Sequence, residues 1–266
     1  MTAKQTVVLV LGIVSAAPLV SQGALMAYDD ASSSVYNDGW AGGDNGGYGF
    51  NAWTLDAGGT GYYGHFIGDS RNLTDSLSGA NINVSGESFG MYANSGSAYA
   101  GAARNFTGGA LAAGQQFSFV IGVNYRNGNK GFDLRDGSGS VLWNFNVGGD
   151  AYKVNGNSVF GNAYDANTAF SFLFTQNAGT LDWSITRSGG LSGTASGSSS
   201  ISAGNIAGVR FYISGTDGGN ENDFFFNSLS VVPEPTHVAL GVFGGVLALT
   251  GVLRSSKLKA LLRQRA

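Results

Sequence analysis

The stretch Phe170-Ser-Phe-Leu-Phe-Thr-Gln-Asn-Ala-Gly-Thr-Leu-Asp-Trp-Ser-Ile185 decides the fold. Phe170, Phe172 and Phe174 fall on one face of an extended chain, and Leu181, Trp183 and Ile185 fall on one face of the next. Asn177-Ala178-Gly179 between them has the composition of a hairpin turn. Apolar residues at every second position mark strands with one buried face. Working outward, the same period recurs in Phe117, Phe119, Ile121 and Val123, in Val141, Trp143, Phe145 and Val147, and in Val209, Phe211 and Ile213; residues 224–232 supply a last strand. Asp136-Gly137-Ser138-Gly139 joins residues 131–135 to 140–147 as a second hairpin. Between residues 24 and 232 no segment carries a helical period.

Composition agrees with this pattern. The chain has 266 residues, 43% of them hydrophobic and 12% aromatic, enough to bury a core despite 44 glycines. None of its 3 prolines lies between residues 24 and 232, so the turns there fall to Gly, Asn, Asp and Ser. The reading is an all-β chain, a single antiparallel two-sheet β-sandwich of the jelly-roll or lectin-like kind over residues 24–232. The Gly/Ser-rich residues 188–204 read as a polar edge strand with loops or as a disordered interruption.

The two ends differ from this body. Lys4, an apolar run over residues 7–14 and small residues through Gly23 have the layout of an N-terminal signal peptide, residues 1–23. At the other end Pro233-Glu234-Pro235 precedes an uncharged apolar run, residues 237–253, and a tail, residues 254–266, that holds five basic residues. Seventeen helical residues reach roughly 25 Å, enough for one C-terminal transmembrane helix with flanking residues or local thinning. The basic tail would stay in the cytoplasm and leave the body outside. Two prolines also keep the segment before the helix extended and open to a processing enzyme.

Pro-Glu-Pro, an apolar helix and an Arg-containing end together resemble the PEP-CTERM sorting signal of Gram-negative bacteria with exopolysaccharide-rich envelopes, over residues 231–266. The resemblance implies that Pro233, Glu234 and Pro235 are the recognition motif of an exosortase-type membrane transpeptidase. It also implies transient anchoring in the inner membrane, then release from the cell or transfer to its surface. The basic residues here are more dispersed than the family's usual cluster.

Charge and chemistry narrow the function. Residues 24–232 hold eight basic and sixteen acidic residues, a formal charge of −8, which disfavours nucleic acid as a partner. The chain has no Cys, which removes disulfides, thiolate metal sites and cysteine nucleophiles. Gly68-Asp69-Ser70 resembles the nucleophile block of GDSL-type hydrolases, but the only histidines are His65 and His237, so Ser70 lacks the family's downstream base. Glu87 and Glu221 stand apart in sequence, and Asp133 and Asp136 flank a hairpin, so no paired glycosidase carboxylates are evident. The expectation is a protein that is not an enzyme.

Two binding features remain. Trp40, Trp53, Tyr62 and Tyr63 stand among glycines and read either as a platform for stacking exopolysaccharide sugars or as aromatics capping the open end of the sandwich. Asp217, Glu221 and Asp223 read either as a calcium loop or as a solvated turn, with Asp29, Asp30, Asp38 and Asp44 as a weaker second cluster. A secreted or cell-surface structural or matrix protein is the main reading, and an extracellular polysaccharide-binding module is its alternative.

Overall fold

The computed structural model describes residues 26–149, 151–201 and 204–233. The segments read as signal peptide (1–23), apolar helix (237–253) and basic tail (254–266) lie outside them, as do Glu234 and Pro235. Among the described residues the chain forms an antiparallel two-sheet sandwich, with helix limited to two short 3-10 turns, Ser34–Tyr36 and Asn220–Asn222. Numbered along the chain, sheet A runs in the order β13 (Gly193–Ser200), β12 (Thr180–Gly189), β11 (Thr168–Gln176), β6 (Gln116–Val123), β15 (Phe224–Val232), β4 (Ser88–Asn94) and β3 (Tyr62–Gly68). A further strand, β1 (Ala27–Asp29), pairs with the second half of β15. Sheet B runs β10 (Asn157–Ser158), β9 (Ala151–Val154), β8 (Val141–Gly148), β7 (Asn129–Arg135), β14 (Gly208–Ser214), β5 (Tyr99–Asn105) and β2 (Thr54–Gly58).

Both hairpins form where the turn chemistry places them. At the first, Asp136 Oδ1 accepts from the backbone N–H groups of Ser138 and Ser140, each at 2.9 Å, and Gly139 takes a φ of 88° that disfavours other residues. At the second, the Asn177 N–H donates to the Thr180 carbonyl at 2.9 Å. One expectation fails in detail. Val141 is 52% exposed although Trp143, Phe145 and Val147 are buried. The pairing of β7 with β8 slips between Leu134 and Arg135, and this irregularity turns Val141 away from the face that its neighbours share. Residues 193–200 form β13 at the edge of sheet A.

The inward residues of the two sheets meet in an aromatic layer. Phe119 of β6 meets Phe132 of β7 edge-on at 4.7 Å, and Phe211 of β14 stacks on Phe226 of β15 at 3.7 Å. Such pairs add about 0.5–1.5 kcal/mol each beyond the area they bury. Because each joins a sheet A strand to a sheet B strand, they fix the distance between the layers as well as stabilising them.

Charge also enters the interior, at Arg104 and Asp29 and at Lys130. Arg104 of β5 is 1% exposed and forms a buried ion pair with Asp29 of β1, which bridges the two sheets. Its Nε donates to the Asn51 carbonyl at 2.6 Å, and Nη2 donates to Asn45 Oδ1 at 2.5 Å and to the Gly46 carbonyl at 2.8 Å. The guanidinium lies 4.9 Å from the Phe50 ring centre and 5.1 Å from that of Trp53. Asp29 also accepts from Tyr36 Oη at 2.6 Å, and Tyr36 Oη in turn accepts from Trp53 Nε1 at 3.0 Å. Removing one member of such a pair costs about 3–5 kcal/mol, because the other charge stays buried without a partner.

Candidate functional site

The outward face of sheet B carries an ordered polar surface. Strand register puts Asp56, Gly101, Tyr212, Gly131, Asn146 and Lys153 in one row across β2, β5, β14, β7, β8 and β9. The adjacent row holds Arg210, Asp133 and Asn144. The two glycines decide how these side chains lie. A Cβ at Gly101 would stand 2.6 Å from both Arg210 Nη2 and Asp56 Oδ1, so the ion pair between them, 2.9 Å long, lies directly over that glycine. A Cβ at Gly131 would stand 2.9 Å from Tyr212 Oη and would strike the Phe145 carbonyl. Tyr212 therefore also lies down on the sheet rather than projecting from it.

Hydrogen bonds hold this layer in place. Tyr212 Oη accepts from Asn144 Nδ2 at 2.8 Å and from Asn146 Nδ2 at 3.1 Å, and donates to the Phe145 carbonyl at 3.3 Å. Asn144 Nδ2 also donates to Asp133 Oδ1 at 2.9 Å, and Arg135 Nη2 donates to Asp133 Oδ2 at 3.1 Å. Burial raises the Tyr212 phenol above its ordinary pKa, so it stays a neutral donor and acceptor at neutral pH. Asn144, Asn146, Arg210 and Tyr212 are all half-buried, each with part of its surface open to solvent. The result is a flat, pre-arranged set of planar amides, a guanidinium and a phenol ring.

The aromatic residues named from the sequence do not share one surface. Trp40 is 5% and Trp53 2% exposed, and the two rings meet edge-on at 5.2 Å beside Phe89. As candidates for sugar stacking these two are corrected: their faces are spent on the core, packed against Phe89 and Phe226. Tyr62 and Tyr63 lie on β3 at the edge of sheet A and are 77% and 39% exposed; the alternating pleat turns them to opposite faces. Ser70 is buried; its Oγ donates to the Ala80 carbonyl at 2.8 Å and accepts from the Ile82 N–H at 3.0 Å. It holds a turn. His65 Nε2 lies instead 2.9 Å from the Gly101 carbonyl.

The acidic loop is likewise divided among different partners. Asp217 Oδ2 accepts from Asn127 Nδ2 at 2.6 Å, Glu221 accepts from Thr74 Oγ1, and Asp223 is buried. Asp29, Asp30 and Asp44 are also spent locally, on Arg104, on Tyr28 and on the Ala41 N–H. Among the described residues no group of three or more His, Asp or Glu side chains is arranged to hold a metal ion. Lys130, absent from the sequence reading, brings a cation to this region. It is 0% exposed, and its Nζ donates to the Tyr125 carbonyl at 2.7 Å within electrostatic reach of Asp223 and Glu221. Burial pushes the Lys130 ammonium down to about 7, against the pull of Asp223 and Glu221. Burial pushes the Asp223 carboxyl up to about 7, against the pull of Lys130.

No family model and no curated protein matches this chain. Among solved structures it is similar to a sialidase, at 12% identity and a TM-score of 0.41, over 58% of this chain and 16% of that one. It is also similar to the CBM2 module of the Lactobacillus casei BL23 phage J-1 evolved Dit, at 14% identity and a TM-score of 0.40, over 78% and 97% of the two chains. A third is the Caenorhabditis elegans galectin LEC-6, at 15% identity and a TM-score of 0.30, over 46% and 85%. The chain spans about a sixth of the sialidase's length.

The buried acid gives a pH dependence of known sign. Asp223 keeps its proton in the folded state up to about pH 7 but loses it near 4 when unfolded, so its contribution to stability falls as pH rises from 4 to 7. Asp223→Asn cannot titrate. The melting temperature of the variant, measured relative to the unsubstituted protein, should therefore climb steadily from pH 4.5 to pH 7. A difference that stays constant over that range would show that Asp223 titrates normally.

Proposed function

We propose that the sandwich is a non-enzymatic, lectin-like module that binds extracellular polysaccharide on the outward face of sheet B. The observation that carries this reading is the flat layer around Tyr212, held down over Gly101 and Gly131. A sugar ring offers hydroxyls at its rim, each both donor and acceptor, and C–H groups on its faces. Planar amides answer the first need as acceptors: the Asn144 NH2 group is spent on Tyr212 and Asp133, and that of Asn146 donates to Tyr212, leaving both side-chain carbonyls without a partner among the described residues. The phenol ring answers the second. A surface already ordered before binding also loses less side-chain entropy on contact. Adjacent strands lie about 4.8 Å apart, close to the advance of one hexopyranose unit along an extended chain, so successive units of a polysaccharide running along the row meet successive strands.

Titration of the full-length protein against a panel of neutral hexopyranose polysaccharides tests this. Tyr212→Ala should weaken binding by roughly tenfold or more, the equivalent of about 1.4 kcal/mol. Tyr62→Ala, on sheet A, should leave it unchanged. Absence of binding across the panel, or equal losses in the two variants, would refute the site.

The terminal segments carry a second part of the proposal: export to the envelope or extracellular matrix of a Gram-negative bacterium, with transient anchoring in the inner membrane and exosortase-type processing at Pro233, Glu234 and Pro235. In its support, β15 ends at Val232 and Pro233 follows at once, so the last strand is complete before the motif begins. In the native host Glu234→Ala should accumulate as an unprocessed membrane form. Normal release of that variant would rule out motif-dependent processing.

A further inference from the structure

The row that carries Tyr212 reaches, at Lys153, a charge that no described residue balances. Of the charged side chains on the outward face of sheet B, Arg210 pairs with Asp56 at 2.9 Å and Arg135 with Asp133 at 3.1 Å. Lys153 makes no ion pair or hydrogen bond among the described residues. It faces outward because Tyr152 and Val154 on either side of it are buried. Its neighbours across the strands are Asn146 on β8 and Ser158 on β10, both uncharged. A lone ammonium is therefore held beside the planar amides, in a body whose overall charge is negative. Three strand spacings, roughly 14 Å, separate it from Tyr212 along the row.

We propose that Lys153 is an anion subsite of the sheet B platform and that the polysaccharide bound there is acidic, with a carboxylate or sulfate group meeting the ammonium. This rests on the platform reading and adds the class of ligand to it. Tyr212 and the two asparagines engage the ring and hydroxyls of one sugar, and Lys153 engages the acidic group of another a few units along the same chain. The negative body opposes non-specific attraction of polyanions, so selectivity comes from this one contact and is sensitive to salt. The remaining charges of the face do not compete for the anion, because each is closed on its own partner.

Matched polymers separate the contributions. Binding of the full-length protein is measured for polygalacturonate against its methyl ester, and for dextran sulfate against dextran, at low and at physiological salt. The acidic member of at least one pair should bind about tenfold more tightly, which also identifies the anionic group as carboxylate or sulfate. Lys153→Met should reduce that affinity to the level of the neutral partner without changing the neutral partner's own affinity, whereas Lys153→Arg should keep the preference. Equal affinity for acidic and neutral members, or a preference that survives Lys153→Met, would overturn the subsite. Failure of the platform has a different signature: Tyr212→Ala would leave binding of the neutral polymers intact. Binding of no polymer would overturn both.

Discussion

The ion pair between Asp29 and Arg104 ties the first described strand to both sheets at once. Asp29 belongs to a strand of three residues that pairs with the end of β15, so its backbone bonds alone hold it weakly. Arg104 supplies the rest, through Asp29 on one side and the carbonyls of Gly46 and Asn51 on the other. Its cost is desolvation: burial raises the Asp29 carboxyl despite the adjacent guanidinium, and Asp29 Oδ1 has no partner. An apolar pair of equal volume would fill the space but would not say where residues 45–53 must dock. The ion pair specifies that position.

From that position the outward layer of sheet B follows. The segment clamped by Arg104 leads directly into β2, the edge strand that presents Asp56 to Arg210. Arg104 points inward from β5, and the same strand turns Gly101 outward beneath that ion pair. Interior charge and exterior platform are thus built on one strand with alternating faces, and a slip of one residue in its register would exchange them. Glycine in a strand gives up roughly 0.5–1 kcal/mol relative to Ala. At Gly101 and Gly131 that loss goes with flatness, since any Cβ would lift the side chains lying above.

The strands with large inward residues were legible in the sequence. β6, β11, β12 and β14 carry Phe, Leu, Ile, Val or Trp at alternate positions, and no other element produces that pattern over several residues. β5 was not legible. Its inward residues are Ala100, Ala102 and Arg104, and its outward ones include Gly101 and Ala103, so small residues on both faces erase the contrast. The platform was hidden for the same reason, since its rows join residues far apart in sequence and depend on glycines that look like turns. Trp40 and Trp53 stayed open between sugar stacking and a structural role because aromatic rings among glycines suit a binding surface and a packed core equally well, and only burial separates the two. Lys130 and Arg104 gave no sign of burial, because charge in a strand ordinarily marks the solvent face.

The most direct measurement of the central claim is a nuclear magnetic resonance titration of the isotopically labelled protein with an acidic polysaccharide. The side-chain amide signals of Asn144 and Asn146, and the backbone signals of Tyr212 and Lys153, should shift together with one dissociation constant. Signals from Tyr62 and Tyr63 should stay in place. Shifts confined to β3, or none on β14 and β8 at saturating ligand, would contradict a binding face on sheet B.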